Sequence, residues 1–460
     1  MTAHANIPDA ADPGQARAAP AGAAVVAAAD TVSADTGGRP GAQAPASRSA
    51  RWRELVPDVA AFMGALVCAV LAAVLAGALG GCGGGVGTEG TGGFASGSSS
   101  ASGPIVGFGS IVVNGIHFDE ANAAVEDDDA KPQKPSVLAL GMMVQVTGGA
   151  VTTDALTGRQ TATATQVRYN RALVGPVAAR DALAGTLRIL GQTVVVSADT
   201  VFDSSLAGGL SSAGTAVGAM LEVYGSFDAS TATLLATRIA PASAAAYCVR
   251  GTVTAVSTDS SGAKSFVING QTYSAAGLAD TSTLAVGAVL KVELQDKTDD
   301  KGRWVAGSQT PGQLSGSTSD RDGVKLQGLV ASIGSASRLV VEGVVVDISS
   351  AKLSGTLKLG AQVEVSGALR SGVLVATELK ITSSGSPRSY ELEGRPQSID
   401  LVNKRLLLRG VSVSFARSDL VLKGGTLAQL VASYSGSLHI VGVLSADRTV
   451  VEATVIEFGS

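Results

Sequence analysis

Val324-Lys-Leu-Gln-Gly328-Leu-Val-Ala-Ser-Ile333 is followed by a Gly/Ser break, then by Arg338-Leu-Val-Val341, Glu342-Gly343 and Val344-Val-Val-Asp-Ile348. A polar stretch runs to Leu359-Gly360, and Gln362-Val-Glu-Val-Ser-Gly367 and Val373-Leu-Val-Ala-Thr-Glu-Leu-Lys-Ile381 close the unit. Its apolar segments are short and rich in Val, Ile and Leu. β-Branched chains lose rotamer freedom in a helix and fit a pleated, half-buried surface. Val363 and Val365 alternate with Gln362 and Glu364, so one face is apolar and the other wet. Gly, Ser and Asn punctuate the segments at hairpin spacing. The pattern predicts five short strands, with room for a helical turn only between the third and fourth, at Ser349–Lys358. Closing such a sheet on itself removes the edges on which other chains would add.

The unit recurs. A strand-one glycine is read at Gly107, Gly175, Gly251, Gly328 and Gly394, and a second glycine after strand two at Gly115, Gly191, Gly270, Gly343 and Gly410. An apolar-Gly step before strand four appears as Leu140-Gly141, Val217-Gly218, Val286-Gly287 and Leu359-Gly360. Strand four reads Val144-x-Val146-x-Gly148, Leu221-x-Val223-x-Gly225, Val363-x-Val365-x-Gly367 and Leu438-x-Ile440-x-Gly442, while the third unit has Leu294 in place of the last glycine. Strand five carries Ala164-Thr165, Ala236-Thr237, Ala376-Thr377 and Ala453-Thr454. Recurrence at comparable offsets is the mark of tandem repeats. Units this small bury little core of their own, so neighbours are expected to lean on one another.

This order of motifs resembles an uncharacterised repeat domain, a domain-of-unknown-function family of secreted proteins and lipoproteins of bacteria. The resemblance covers about 104–458 and implies small β-barrels and an envelope location; it supplies no activity and no site residues. Five strands with a long third connection also resemble an OB-like barrel. The expected fold is all-β: tandem small five-stranded OB-like barrels, standing as a row of separate bodies.

Upstream, residues 1–50 are mostly Ala, Gly, Pro, Ser and Asp without an apolar period, a composition expected to stay disordered. Arg51 and Arg53 precede an uncharged run from Val59 to Leu79, which ends Leu79-Gly80-Gly81-Cys82. Basic flank, apolar core and small residues are the parts of a secretory signal. Leu79, Gly80, Gly81 and Cys82 together look like a bacterial lipobox, which implies cleavage before Cys82 and acylation of its thiol. An uncleaved membrane helix is the competing reading of the run, which is long enough to span. The chain then divides into a leader (1–50), a signal peptide with lipobox (51–81), a Gly/Ser-rich tether (82–103), units at 104–169, 170–240 and 246–308, a linker (309–322), and units at 323–382 and 389–460. The linker is expected to be the most exposed joint.

Charged residues are 16% of the chain, aromatic residues 4%, and the formal net charge is −4. A nucleic-acid partner, which calls for a basic face and stacking aromatics, is not expected. Gly85-Val-Gly87-Thr-Glu-Gly90 matches a dinucleotide motif in letters alone, with no strand before it and no helix after it. Cys248 has no disulfide partner and reads as a buried small apolar residue. His117 and His439 lie far apart in sequence, outside any metal-protease spacing, and read as isolated strand residues without a catalytic role. Ser261-Gly-Ala-Lys264 and Ser349-Ser-Ala-Lys352 match S-x-x-K, a motif that needs a helix to set Ser and Lys on one face. Lys404, Arg405 and Arg409 read as a solvated turn. Asp127, Asp128 and Asp129, beside Glu126 and before Lys131 and Lys134, form an oxygen-rich stretch of the kind that can hold Ca²⁺, but they lack the alternation and the glycine of a calcium loop and read as a solvated insertion. No cofactor is expected.

The reading that follows is a non-catalytic cell-envelope lipoprotein, anchored through Cys82 in a membrane, the outer one expected, and built as a rod of β-domains. Its role would be binding, adhesion or spacing, with an envelope protein or polysaccharide as partner. The alternative is a carbohydrate- or polymer-binding module, with Trp304 and Tyr273 as stacking candidates. A hydrolase with a site between repeats would require converging carboxylates or a histidine pair.

Overall fold

A computed structural model describes residues 98–459, apart from 243–246, 313–319, 335–336, 383–386 and 432. The leader, the signal segment and the lipobox residues Leu79 to Cys82 lie outside the described residues. Among the described residues there is no α-helix, only strands and short 3-10 turns.

Residues 321–381 form a closed five-strand barrel. Its strands are Arg321–Ile333, Arg338–Val341, Val344–Asp347 (continuing as Lys352–Ser354), Gln362–Arg370 and Val373–Ile381. Strand one runs antiparallel to strand two through Val330↔Val341 and to strand four through Gly328↔Val363. Strand three runs parallel to strand five through Val346↔Leu374, and strands four and five close the circuit antiparallel. Alternation puts Val330, Val341, Val346, Val363 and Leu374 inside, all fully buried; each such side chain is worth roughly 1.5–3 kcal/mol. The same circuit closes over Ser99–Tyr169, Leu173–Pro241, Tyr247–Pro311 and Tyr390–Phe458. These barrels are called first to fifth in chain order.

The repeated motifs are parts of one mechanism. The residue before each second glycine has a left-handed backbone, as does the glycine: Asn114-Gly115, Leu190-Gly191, Asn269-Gly270, Glu342-Gly343 and Arg409-Gly410. Two successive positive φ angles make the tight turn that matches the twist of a hairpin. The first residue of that turn then folds back over the strand-one glycine. Leu190 covers Gly175, Asn269 covers Gly251 and Glu342 covers Gly328, each where a Cβ would collide. The apolar-Gly step ties the far end of the barrel to strand one, with Gly218 N donating to Val177 O and Gly360 N to Val330 O. In strand four the glycine of Val-x-Val-x-Gly stands at a bulge, at Gly148, Gly225, Gly367 and Gly442. A Cβ there would strike a carbonyl oxygen of strand five, that of Val375 for Gly367 and that of Leu235 for Gly225. The paired Ala faces the core, and the Thr hydroxyl donates to the carbonyl just before the bulge: Thr165 to Thr147, Thr377 to Ser366 and Thr454 to Val441.

That mechanism corrects the register of the first unit. Gly103, not Gly107, pairs with Val144 as Gly175 pairs with Leu221 and Gly328 with Val363. Asn114 packs on Gly103 and donates to Ser102 O at 2.7 Å. The first strand, Ser99–Pro104, therefore lies inside the stretch read as a tether (82–103). Its Ser-Ser-Ala-Ser-Gly-Pro sequence carries no strand signal; it is extended because strand four of its own barrel and strand one of the fourth barrel pair with its two edges. The helical turn expected at Ser349–Lys358 is instead the short strand Lys352–Ser354. 3-10 turns occupy that connection at Pro135–Val137, Ser204–Leu206 and Leu427–Gln429. The linker is shorter than 309–322, since strand five of the third barrel runs to Pro311 and strand one of the fourth begins at Arg321.

Nor do the barrels stand as separate bodies in chain order. Strand one turns a corner, pairing its first half with strand four and its second half with strand two, which leaves the outer edge of the first half free. Neighbouring barrels take that edge. Ser100 pairs parallel with Val324, Gly107 parallel with Glu391, and Leu173 antiparallel with Val249. The first and fifth barrels share one apolar core, the second and third share another, and the fourth has its own. Unpaired backbone edges and small cores both favour such fusion, and the row of separate bodies read from the repeats is replaced by pairing between units both adjacent and distant in the chain.

Candidate functional site

One grouping of titratable side chains outside the barrel interiors lies on the seam between the first and fifth barrels. His117 is on strand three of the first barrel, Ile116–Asp119. Ile116 and Phe118 point into the core, so His117 points outward, and the fifth barrel covers it to 9% exposure. Glu391 and Glu393 alternate along strand one of the fifth barrel and so share a face; His439 stands opposite Glu393 on strand four. His439 Nε2 lies 2.8 Å from Glu391 Oε1, and His117 Nε2 lies 3.7 Å from Glu391 Oε2. Arg159 Nη2 donates to Glu393 Oε2 at 3.2 Å and meets His117 Nδ1 at 3.0 Å. A guanidinium only donates, so His117 Nδ1 accepts and its proton sits on Nε2, toward Glu391.

The three titrating groups are pushed apart. Burial holds the pKa of His117 below the ordinary histidine value, and the Arg159 charge adds to this against the pull of Glu391 and Glu393. The hydrogen bond to Glu391 raises His439, and the same bond lowers Glu391. Two imidazoles and two carboxylates are a donor set that transition metals use. Here both ring nitrogens of His117 are committed, one to a cation, and the set closes on itself. The sequence reading of His117 and His439 as isolated residues is therefore corrected: the fold joins them through one carboxylate. The Glu391-x-Glu393 alternation was visible in the sequence, but nothing in it places the first barrel opposite.

A second grouping lies where the first barrel meets the third. Lys291, 4% exposed, pairs with Asp129 and, at 3.4 Å, with Asp128. Arg171 reaches Asp128 at 2.7 Å, and Arg168 reaches Glu126 at 2.6 Å. Asp127 accepts from the backbone N–H of Asp129 and Lys131, both at 2.9 Å, and from Gln133 at 3.0 Å. Burial works against the charge on Lys291, and the two aspartates overcome it, so its pKa lies above the ordinary lysine value. Asp127, Asp128 and Asp129 come within reach of a single cation, and the Lys291 ammonium stands where that charge would be. Cys248 is buried beside this cluster, and burial pushes its thiol up to about 12.

A third seam joins the second and fourth barrels. Glu342 there bonds to Ser226 and accepts from Leu329 N at 3.3 Å, and burial raises its carboxyl. Beside it Pro104, Ser226, Leu235, Thr237 and Gln327 help to line a cavity of about 20 Å³, room for about one water.

Two segments of the chain, 174–240 and 327–380, match the family described as Domain of unknown function (DUF5666). They are the second and fourth barrels, each taken from strand one to strand five. No curated protein matches the chain.

The remaining sequence candidates fall apart in space. Tyr273 is fully buried, with Gln192 donating to its hydroxyl, while Trp304 is half-buried and stacks on Tyr247 at 5.5 Å. Ser261 and Ser349 sit in aspartate-capped turns. Arg409 leaves the expected solvated turn to bond Gly109 O at 3.3 Å across the seam of the first and fifth barrels. Among the described residues no helix is long and apolar enough to cross a membrane; the run Val59–Leu79 lies outside them.

Proposed function

We propose that this chain is a non-catalytic cell-envelope lipoprotein, held in a bacterial membrane, the outer one, by lipid on Cys82. Its part above the membrane is five tandem OB-like domains that bind, adhere or space. The observation that carries the reading is Leu79-Gly80-Gly81-Cys82 closing an apolar run shortly before the first strand at Ser99. The strand circuit one-two-three-five-four, with three parallel to five, supports the OB-like assignment. The non-catalytic part rests on the seams: their carboxylates, imidazoles and amines are spent on one another rather than turned toward a cleft. Mass spectrometry of protein extracted from membranes should find an acylated Cys82 as the first residue. A Cys82→Ser chain that stays equally lipid-labelled and membrane-bound would refute the anchor. The half-buried Trp304–Tyr247 stack favours the polymer-binding alternative over a pure spacer, and a glycan array with Trp304→Ala as control separates the two.

A further inference from the structure

The seam between the first and fifth barrels rests on little backbone bonding. Gly107↔Glu391 and Phe108↔Leu392 are its only ladder pairs among the described residues, with Glu391 N donating to Val106 O at 3.0 Å. Beyond the shared core, its polar closure is the network of Arg159, His117, Glu391, His439 and Glu393, with one bond from Arg409 to Gly109 O at the rim. The charged groups facing His117 are Arg159 from its own barrel, Glu391 and Glu393 from strand one of the fifth, and His439 from strand four. Its register neighbours, Val112 and Thr161, carry no charge. His439 also stands opposite Glu457 on strand five.

With His439 protonated and His117 neutral, Arg159 and His439 balance Glu391 and Glu393. Of the two imidazoles, only His117 can then take a further proton, on Nδ1, which already accepts from Arg159. Protonated there, the ring can only donate, and a second cation meets the guanidinium at hydrogen-bond distance. The ring is too buried to turn to water.

We propose that this seam is an acid-operated joint: protonation of His117 breaks its contact with Arg159 and releases strand one of the fifth barrel from the first, while the pairing inside each barrel is kept. The two histidines pull in opposite directions. The lowered pKa of His117 means that its stabilising contribution is full above the unfolded value of 6.5 and is lost as pH falls through the folded value. The raised pKa of His439 means that its contribution is full below 6.5 and is lost as pH rises through the folded value. The joint is therefore tightest near neutrality and opens on the acid side.

Hydrogen exchange of the full chain, corrected for intrinsic rates, reads this at the Glu391 amide, which donates across the seam to Val106 O. Opening at this amide should be about tenfold more frequent at pH 5 than at pH 7. In His117→Gln the side-chain oxygen still accepts from Arg159 and nothing protonates, so the step should vanish. A flat wild-type profile, or a step that survives in His117→Gln, overturns the proposal. Should that variant fail to fold by circular dichroism, histidine-ring NMR of the unmodified chain decides: the exchange step must coincide with the titration of His117, and a step at another pH overturns it equally.

Discussion

The second and fourth barrels match one family description and share every motif, yet their outer surfaces differ. Both place a leucine of strand five in the core, Leu234 and Leu374, and both place a bulge glycine against strand five, Gly225 and Gly367. After Ala-Thr, however, the second barrel has Arg238, buried and bonded to Leu140 O at 3.2 Å and Asp203 Oδ2 at 2.6 Å. The fourth has Glu378, exposed. Thr377 donates to Ser366 O, whereas the Thr237 hydroxyl is buried without a partner. Over the strand-one glycine, Leu190 in one barrel is replaced by Glu342 in the other. The motifs make a barrel; the positions between them decide which neighbour it meets.

The largest test concerns what the two barrels share. Leu234→Ala and Leu374→Ala should each lower the unfolding free energy by roughly 2–5 kcal/mol in urea titrations. A near-neutral result at either would break the equivalence of the cores. Next comes the position after Ala-Thr. Arg238→Met removes the bonds to Leu140 O and Asp203 and should cost roughly 1.5–3 kcal/mol, while Glu378→Met should stay within about 0.5 kcal/mol; equal losses would show that the seam contact is not what distinguishes the barrels.

Smaller still is the threonine pair. Thr377→Val should lose about 0.5–1 kcal/mol with its hydrogen bond. Thr237→Val should lose less than Thr377→Val, because the Thr237 hydroxyl bonds no protein group. The smallest effect belongs to Glu342. Burial raises its carboxyl pKa, so the folded state holds the proton longer than the unfolded one, and stability is lost as pH rises from the unfolded value through the folded one. Glu342→Gln should remove that loss and flatten the stability profile between pH 5 and pH 8. A variant that follows the wild-type pH profile would mean that the carboxyl is not desolvated at the seam.

The barrels were legible because their determinants are local. Asn269-Gly270 specifies a hairpin whatever surrounds it, and Val363 and Val365 declare an inner face by alternation alone. Two things were not legible for the same reason. The strand Ser99–Pro104 has no local signal and is extended only because partners at Val144 and Val324 take its edges. The seam network joins His117 and Arg159 to Glu391, Glu393 and His439 across a chain separation that no periodicity spans. Gly107 misled because it too lies in a strand of the first barrel, paired with Val112 rather than with strand four.

The parallel pairing of Gly107 and Phe108 with Glu391 and Leu392 sets a timetable. During synthesis, which proceeds from the first residue, the opening barrel emerges well before the strand that finishes its edge. The intervening barrels must be made while that edge and the shared core beneath it stay uncovered. A chain ending before residue 390 would thus carry a first barrel with an unsatisfied strand, open to chaperones or to another chain.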